Sequence, residues 1–288
     1  MAEKLVAKNT ATQFQHFVLT KFNVRVNYKK LNKSTVGLNP DWLEHRFELF
    51  ERFCFPSLRK QSNQNFQWLV FFDIKTPAKF KEKVRKYTAW QNFVPVYVDR
   101  DKYPPGGLAK PVIRKYLRQD VEYLITTRID NDDGVALDFI NLIQENFSQQ
   151  NLQFINFNYG YVWHRQKIYL LKEKSNHFTS LIEKIERKAE AEFKTIYCAR
   201  HSKLELQGNI KRLDIAPTWL EVIHDRNVTN RVRGVRQPID KFHQRFVLNA
   251  AITQSENLWL YWGDRLKSSL NHYLKAIFSK GKRILMAK

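Results

Sequence analysis

A chain of 288 residues that is 43% hydrophobic, with seven Trp and 21 Phe, carries enough apolar mass to bury a large core, which excludes a disordered polymer. Its 49 Lys and Arg against 28 Asp and Glu give a formal charge of +21. Such an excess attracts nucleic acid, anionic membrane faces or phosphorylated substrates without choosing among them. Cys54 and Cys198 stand alone in sequence, so neither a CxxC metal site nor a disulfide framework is indicated, which points to a reducing, cytoplasmic setting. The N-terminal stretch lacks the apolar core of a secretory signal, and no run approaches the roughly 18 apolar residues of a spanning helix.

Residues 1–13 are polar and read as a flexible tail. HFVLTKFNV (16–24) reads as a first strand, and Asn39-Pro40-Asp41 opens a helix with Trp42, Phe47, Phe50 and Phe53 at helical spacing. FQWLVFFD (66–73) is a continuous buried strand, Thr76-Pro77 opens a short basic helix, and FVPVYVD (93–99) is a third strand. A Pro/Gly loop, a basic helix over 109–119, a fourth strand over 121–130 and a helix over 135–147 follow. The alternation predicts an α/β, Rossmann-like, mostly parallel sheet flanked by helices, with ligands at the carboxyl ends of the strands. Beyond residue 150 the pattern predicts a hairpin around His164-Arg165-Gln166, a charged helix over 180–193 and a short strand over 194–201. Residues 263–288 form a basic amphipathic C-terminal helix with Leu266, Leu270, Tyr273, Leu274, Ile277 and Phe278 on one face. Such a helix suits an anionic membrane surface at the inner face of the cell membrane, or packs on the domain with its basic face in water.

The chemistry concentrates in Asp130-Asn131-Asp132-Asp133-Gly134, at the end of the fourth strand. In extended backbone, residues i and i+2 face the same side, so Asp130 and Asp132 would converge, and two close carboxylates call for a cation between them. Hard oxygen ligands suit Mg²⁺ or Mn²⁺. Gly134 would let the chain turn into the next helix, and Asp133 alternatively serves as that helix's N-cap.

FVLTKFNVR (17–25), QWLVFFD (67–73), YLITTRIDNDDGV (123–135) and WLEVIHDRNVTNRVRG (219–234) together resemble the GT-A glycosyltransferases, and among them the bacterial "putative rhamnosyltransferase" family, over about residues 15–250. The resemblance implies a nucleotide-sugar-binding half over 14–150 and an acceptor-binding half over 151–262 of one domain. It also implies a metal that bridges the donor diphosphate, with Asp130, Asp132 and His224 as metal ligands. Asp130 would hold the ribose or the metal. Asp73 would read the nucleobase, unless it caps the next helix, and Arg25 would lie in the turn lining the nucleotide pocket. Arg114 and Arg128 offer planar forks for phosphate, or else pair with the acids.

For the general base that deprotonates an acceptor hydroxyl, Glu221 and Asp214 are the leading candidates, with Asp225 and His201 behind them. Glu221 shares a segment with His224, yet three residues of extended chain would point the two to opposite faces. The expected partners are a nucleotide-sugar donor and a glycan or lipid-linked acceptor. A nucleic-acid binder would also exploit the charge, but no helix-turn-helix, RNP-like or zinc pattern is present. A nucleotidyltransferase or phosphohydrolase would demand more converging acids, and no P-loop occurs.

Overall fold

The computed structural model describes residues 13–24, 36–103, 107–187, 191–227, 231–249 and 258–286. Strand β1 (Phe14–Lys21) leads to α1 (Pro40–Leu49), whose N-cap Asn39 accepts from the Trp42 amide. The helix runs on through a π-helical turn (Phe50–Cys54) into α2 (Phe55–Arg59). Then come β2 (Gln67–Asp73), α3 (Ala78–Tyr87), β3 (Phe93–Val98), α4 (Ala109–Tyr116), β4 (Tyr123–Arg128), the short β5 (Gly134–Val135) and α5 (Phe139–Glu145). The second half supplies β6 (Gln153–Phe157), β7 (Tyr159–His164), β8 (Lys167–Lys172), β9 (Ser180–Lys184), the two-residue strands β10 (Glu186–Arg187) and β11 (Ala191–Glu192), and β12 (Asn209–Leu213). It ends with β13 (Trp219–Ile223), β14 (Val235–Gln237), α6 (Asp240–His243) and α7 (Leu258–Met286).

Seven strands form the main sheet in the order β12-β6-β9-β4-β1-β2-β3, in which only β9 runs antiparallel to its neighbours. This is the expected α/β, mostly parallel arrangement. Alternate residues explain its two-sided burial: Phe17, Leu19, Leu69, Phe71 and Leu124 pack on one face, while Val18, Trp68, Val70, Phe72 and Ile125 pack on the other. A second sheet, β14-β8-β7-β13-β5, stands at the carboxyl end of the first. The chain passes from one to the other within a single residue, Asn158, between β6 and β7.

Several expected elements differ. The 180–193 segment is not a charged helix. Its core is β9, and one of the charged residues that suggested a solvated helical face, Glu183, is 1% exposed and accepts the Lys194 and Thr195 amides. The strand expected over 194–201 is replaced by two 3-10 turns, Ile196–Cys198 and His201–Leu206. The helix expected from 135 starts at Phe139, because Gly134 and Val135 pair with β13. The β7–β8 hairpin is as expected, and its two turn residues Arg165 and Gln166 have φ of 46° and 63°, matching the twist of the flanking strands. Arg25 and residues 1–12 of the tail lie outside the described residues.

Candidate active site

The turn after β4 is braced from four directions. Thr20 on β1 donates to the Ile129 carbonyl at 2.7 Å, Asn131 donates to the Phe22 carbonyl at 2.9 Å, and the Cys54 thiol reaches the Asp130 carbonyl at 3.4 Å. From the second sheet, the Val222 amide donates to Asp133 Oδ1 at 2.8 Å. Residues 130–133 are therefore a turn rather than extended chain, with the Asp133 amide facing the Asp130 carbonyl at 3.4 Å. Within this turn Asp130 and Asp132 take different basic partners, Arg128 and Arg46, while the Asp130 charge still acts on Asp132. Asp133 does not cap a helix. Its carboxylate is 2% exposed and is divided between Val222 and His177, whose Nε2 lies 2.8 Å from Oδ2. Gly134 has ordinary van der Waals room for a Cβ, so the turn does not depend on glycine there.

The three carboxylates have separate partners. Asp130 takes the Arg128 guanidinium as a fork, at 3.0–3.2 Å. Burial, the largest single influence, opposes its ionisation, but the Arg128 charge and hydrogen bond together with the His177 and Arg46 charges outweigh it and hold the carboxyl well below its usual range. Asp132 meets the Arg46 guanidinium and, at 3.1 Å, His224 Nε2. Here too burial opposes ionisation, and the His224 hydrogen bond with the Arg46 charge lowers the carboxyl. Asp133 goes the other way: burial, only partly offset by His177, pushes it up to about 7. Ligand atoms of Asp130, Asp133 and His177 lie within 4.8 Å of one another.

Helix α1 delivers residues that sequence reasoning missed. Arg46 sits on it, stacked over Trp42 at 5.2 Å, and its Nε is buried without a hydrogen-bond partner. His45 Nε2 lies 3.2 Å from His224 Nδ1 and faces an open cleft of about 550 Å³ lined also by Asp41, Glu48 and Arg226. His177 was missed as well, since it follows no motif and belongs to the irregular link between β8 and β9. At the end of β1, Lys21 Nζ stands 4.0 Å over the Tyr197 ring. The pairing of Asp132 with His224 was implied by the family resemblance; the contribution of α1 was not.

The structure thus brings Asp132 to His224 and sets Asp130 with Asp133, His177 and Arg128. Asp73 is fully buried at the end of β2, and its Oδ1 accepts the Lys75 amide at 2.8 Å, while Asn23 accepts its own amide. Arg114 on α4 ties to Glu192 at 2.9 Å and to the Ala191 carbonyl. Glu221, 4% exposed on β13, pairs with Arg233 at 3.3 Å, and Arg233 also takes Glu173. Asp214 is more open, pairing with Lys172 at 2.7 Å and accepting from Asn158 at 2.6 Å, which lowers its carboxyl.

Residues 7–236 match the family described as "Putative rhamnosyl transferase". No curated protein matches the chain. Among solved structures, S. aureus TarS 1–349 aligns with a TM-score of 0.43 at 13% identity, covering 72% of this chain and 60% of that one. The same fragment in complex with UDP-GlcNAc gives 0.43 at 12% identity, covering 75% and 60%. A "putative nucleotide-diphospho-sugar transferase" from Desulfovibrio desulfuricans G20 gives 0.39 at 11% identity, covering 74% and 82%. The chain spans about 60% of the TarS fragment it aligns with. With the family match running from the N-terminal side of β1 through the Asp130–Asp133 turn and His224 into β14, the chain belongs to the family described as "Putative rhamnosyl transferase".

Proposed function

We propose that the protein moves a sugar from a nucleotide-diphosphate donor to a glycan or lipid-linked acceptor, with Mn²⁺ or Mg²⁺ at the turn after β4. The observation that carries this reading is Asp132 held between Arg46 and His224 beside the Arg128–Asp130 fork, at the carboxyl end of the parallel strands. Carboxylate oxygens and imidazole nitrogen in one place fit a divalent cation of this kind. Such an ion supplies Lewis-acid neutralisation of the charge left on the departing nucleotide diphosphate.

Within this reading Asp132 and His224 hold the ion, and Asp130 contributes to it or to the ribose. Arg46 and Arg128 become phosphate clamps, and the unpartnered Arg46 Nε offers a donor for a phosphate oxygen. Asp73 reads the base, with Arg25 the sequence candidate beside it. Arg114, tied to β11, belongs to the support of the nucleotide half. Glu221 on β13 is the first choice for the base because it shares a short segment with His224, and Asp214, more exposed, is the alternative. The family description makes rhamnose the first sugar to try. One observation favours a second ion position: Asp130, Asp133 and His177 place three ligand atoms within 4.8 Å.

Thermal unfolding with UDP, dTDP or GDP, each with and without Mn²⁺, tests the reading, because a ligand that binds only the native state raises the melting temperature. A nucleotide shift that needs Mn²⁺ and disappears in Asp132→Ala supports it. If His224→Ala abolishes the Mn²⁺ effect and His177→Phe keeps it, the ion sits on Asp132; the reverse places it on Asp133. No nucleotide response, together with tight salt-sensitive binding of DNA or RNA, overturns the reading in favour of a nucleic-acid binder.

A further inference from the structure

Helix α7 is attached to the protein by its polar side. Asp264 pairs with Lys167 on β8, the Ser268 hydroxyl accepts the Arg236 amide of β14 at 3.0 Å, and the buried Tyr261 lies under the Arg236 guanidinium at 5.5 Å. Positions 261, 264 and 268 repeat at helical spacing and form one face. The opposite face is apolar and open to solvent: Trp259 is 86% exposed, Trp262 59%, Leu266 65%, Leu270 55% and Tyr273 66%. A helix that merely covered a core would be turned the other way. Among the described positions, the apolar face is therefore not the one that packs on the domain.

We propose that this face of α7 docks on an anionic lipid surface. Its composition selects that occupant. The helix sequence holds Arg265, Lys267, Lys275, Lys280, Lys282 and Arg283 against the single acid Asp264. Two Trp and a Tyr among aliphatic residues match the aromatic, amphipathic preference of the membrane interface, and the cations match anionic headgroups. A second copy of the chain is a poor occupant, because pairing two such helices would oppose like charges in a protein already at +21. No helix among the described residues is long and apolar enough to cross a membrane, so the helix would lie in the interface plane. Docking would hold β14 near the lipid, and β14 begins two residues after Arg233, the partner of Glu221. Acceptors carried on lipid would then reach the side of the site where a base is expected.

The experiment is co-sedimentation of the full chain with phosphatidylglycerol-containing vesicles and with pure phosphatidylcholine vesicles, without donor or metal, so that it stands apart from the transferase reading. Wild type should partition to the anionic vesicles, and Leu266→Glu and Trp262→Glu should each lower partitioning at least about tenfold. Both positions are solvent-facing, so the variants should keep the wild-type melting temperature. Equal binding by wild type and Leu266→Glu, or no preference for anionic lipid, overturns the proposal. A wild-type dimer in sedimentation velocity that Leu266→Glu turns into monomer would overturn it in favour of self-association.

Discussion

The Asp133 carboxylate and the His177 ring meet at 2.8 Å across 44 residues of sequence, and both are largely removed from water. The pair closes the second sheet onto the turn after β4, because the other Asp133 oxygen accepts the Val222 amide of β13. His177→Ala should leave a buried carboxylate without its partner and cost about 3 kcal/mol of stability. Equilibrium denaturation measures this directly. A loss below about 1 kcal/mol would show that the pair does not brace the turn.

Gly160 of β7 lies opposite Trp219 of β13, and a Cβ at 160 would fall 1.9 Å from the Trp219 indole. The indole cannot easily give way: it is 1% exposed, stacks on Phe178 with centroids 5.2 Å apart, and donates to the Phe157 carbonyl at 2.9 Å. Gly160→Ala should therefore destabilise the protein by about 3 kcal/mol, at the upper end of overpacking costs. Since β13 also carries the chain to His224, the variant should lose Mn²⁺-dependent nucleotide stabilisation even at temperatures where it stays folded. Denaturation and thermal-shift measurements on one preparation separate the two effects.

His16 carries a pH dependence whose sign follows from burial. The ring is 2% exposed within β1, accepts from Gln144 at Nδ1 and donates from Nε2 to Thr127 at 2.8 Å, and burial pushes its pKa down to about 3. The folded protein thus holds it neutral, whereas the unfolded chain takes up a proton near pH 6.5. Its contribution is complete above about pH 6.5 and drains away as pH falls toward 3. Between pH 7 and pH 5 wild type should lose about 2 kcal/mol more than His16→Gln. Parallel loss in both proteins would show that His16 titrates normally in the fold.

The parallel half of the fold was legible because its signals are local. Asn39 caps α1, and 67–73 is a continuous apolar run, as a strand buried on both faces must be. The Asp130–Asp133 cluster was legible as a motif, though not as a turn, and its link to His224 was implied by the family resemblance. What stayed hidden depends on contacts distant in sequence. Glu183 looked like surface charge and is a buried acceptor for two amides of a later segment. Arg46 and His45 belong to no motif, and only the packing of α1 against the turn shows them at the site. In α7 the periodicity was readable, but which face meets the protein was not, because it is decided by Asp264 and Ser268 finding partners on β8 and β14.

Arg46 is a competitor as well as a partner. Its guanidinium occupies the Asp132 oxygen that His224 also faces, so a cation that binds there must first displace it. Arg46→Met keeps an unbranched apolar stem and removes the guanidinium, with its charge and its stacking on Trp42. In the absence of nucleotide, this variant should bind Mn²⁺ about tenfold more tightly, a gain of about 1.4 kcal/mol. With nucleotide present the direction should invert, because the displaced guanidinium can no longer clamp a phosphate oxygen, and UDP or dTDP affinity in saturating Mn²⁺ should fall about tenfold or more. Calorimetric titrations of metal alone, then of nucleotide into the metal-loaded protein, read both arms. If Arg46→Met leaves Mn²⁺ affinity unchanged, the ion does not share Asp132 with Arg46, and the Asp130, Asp133 and His177 group becomes the position to test.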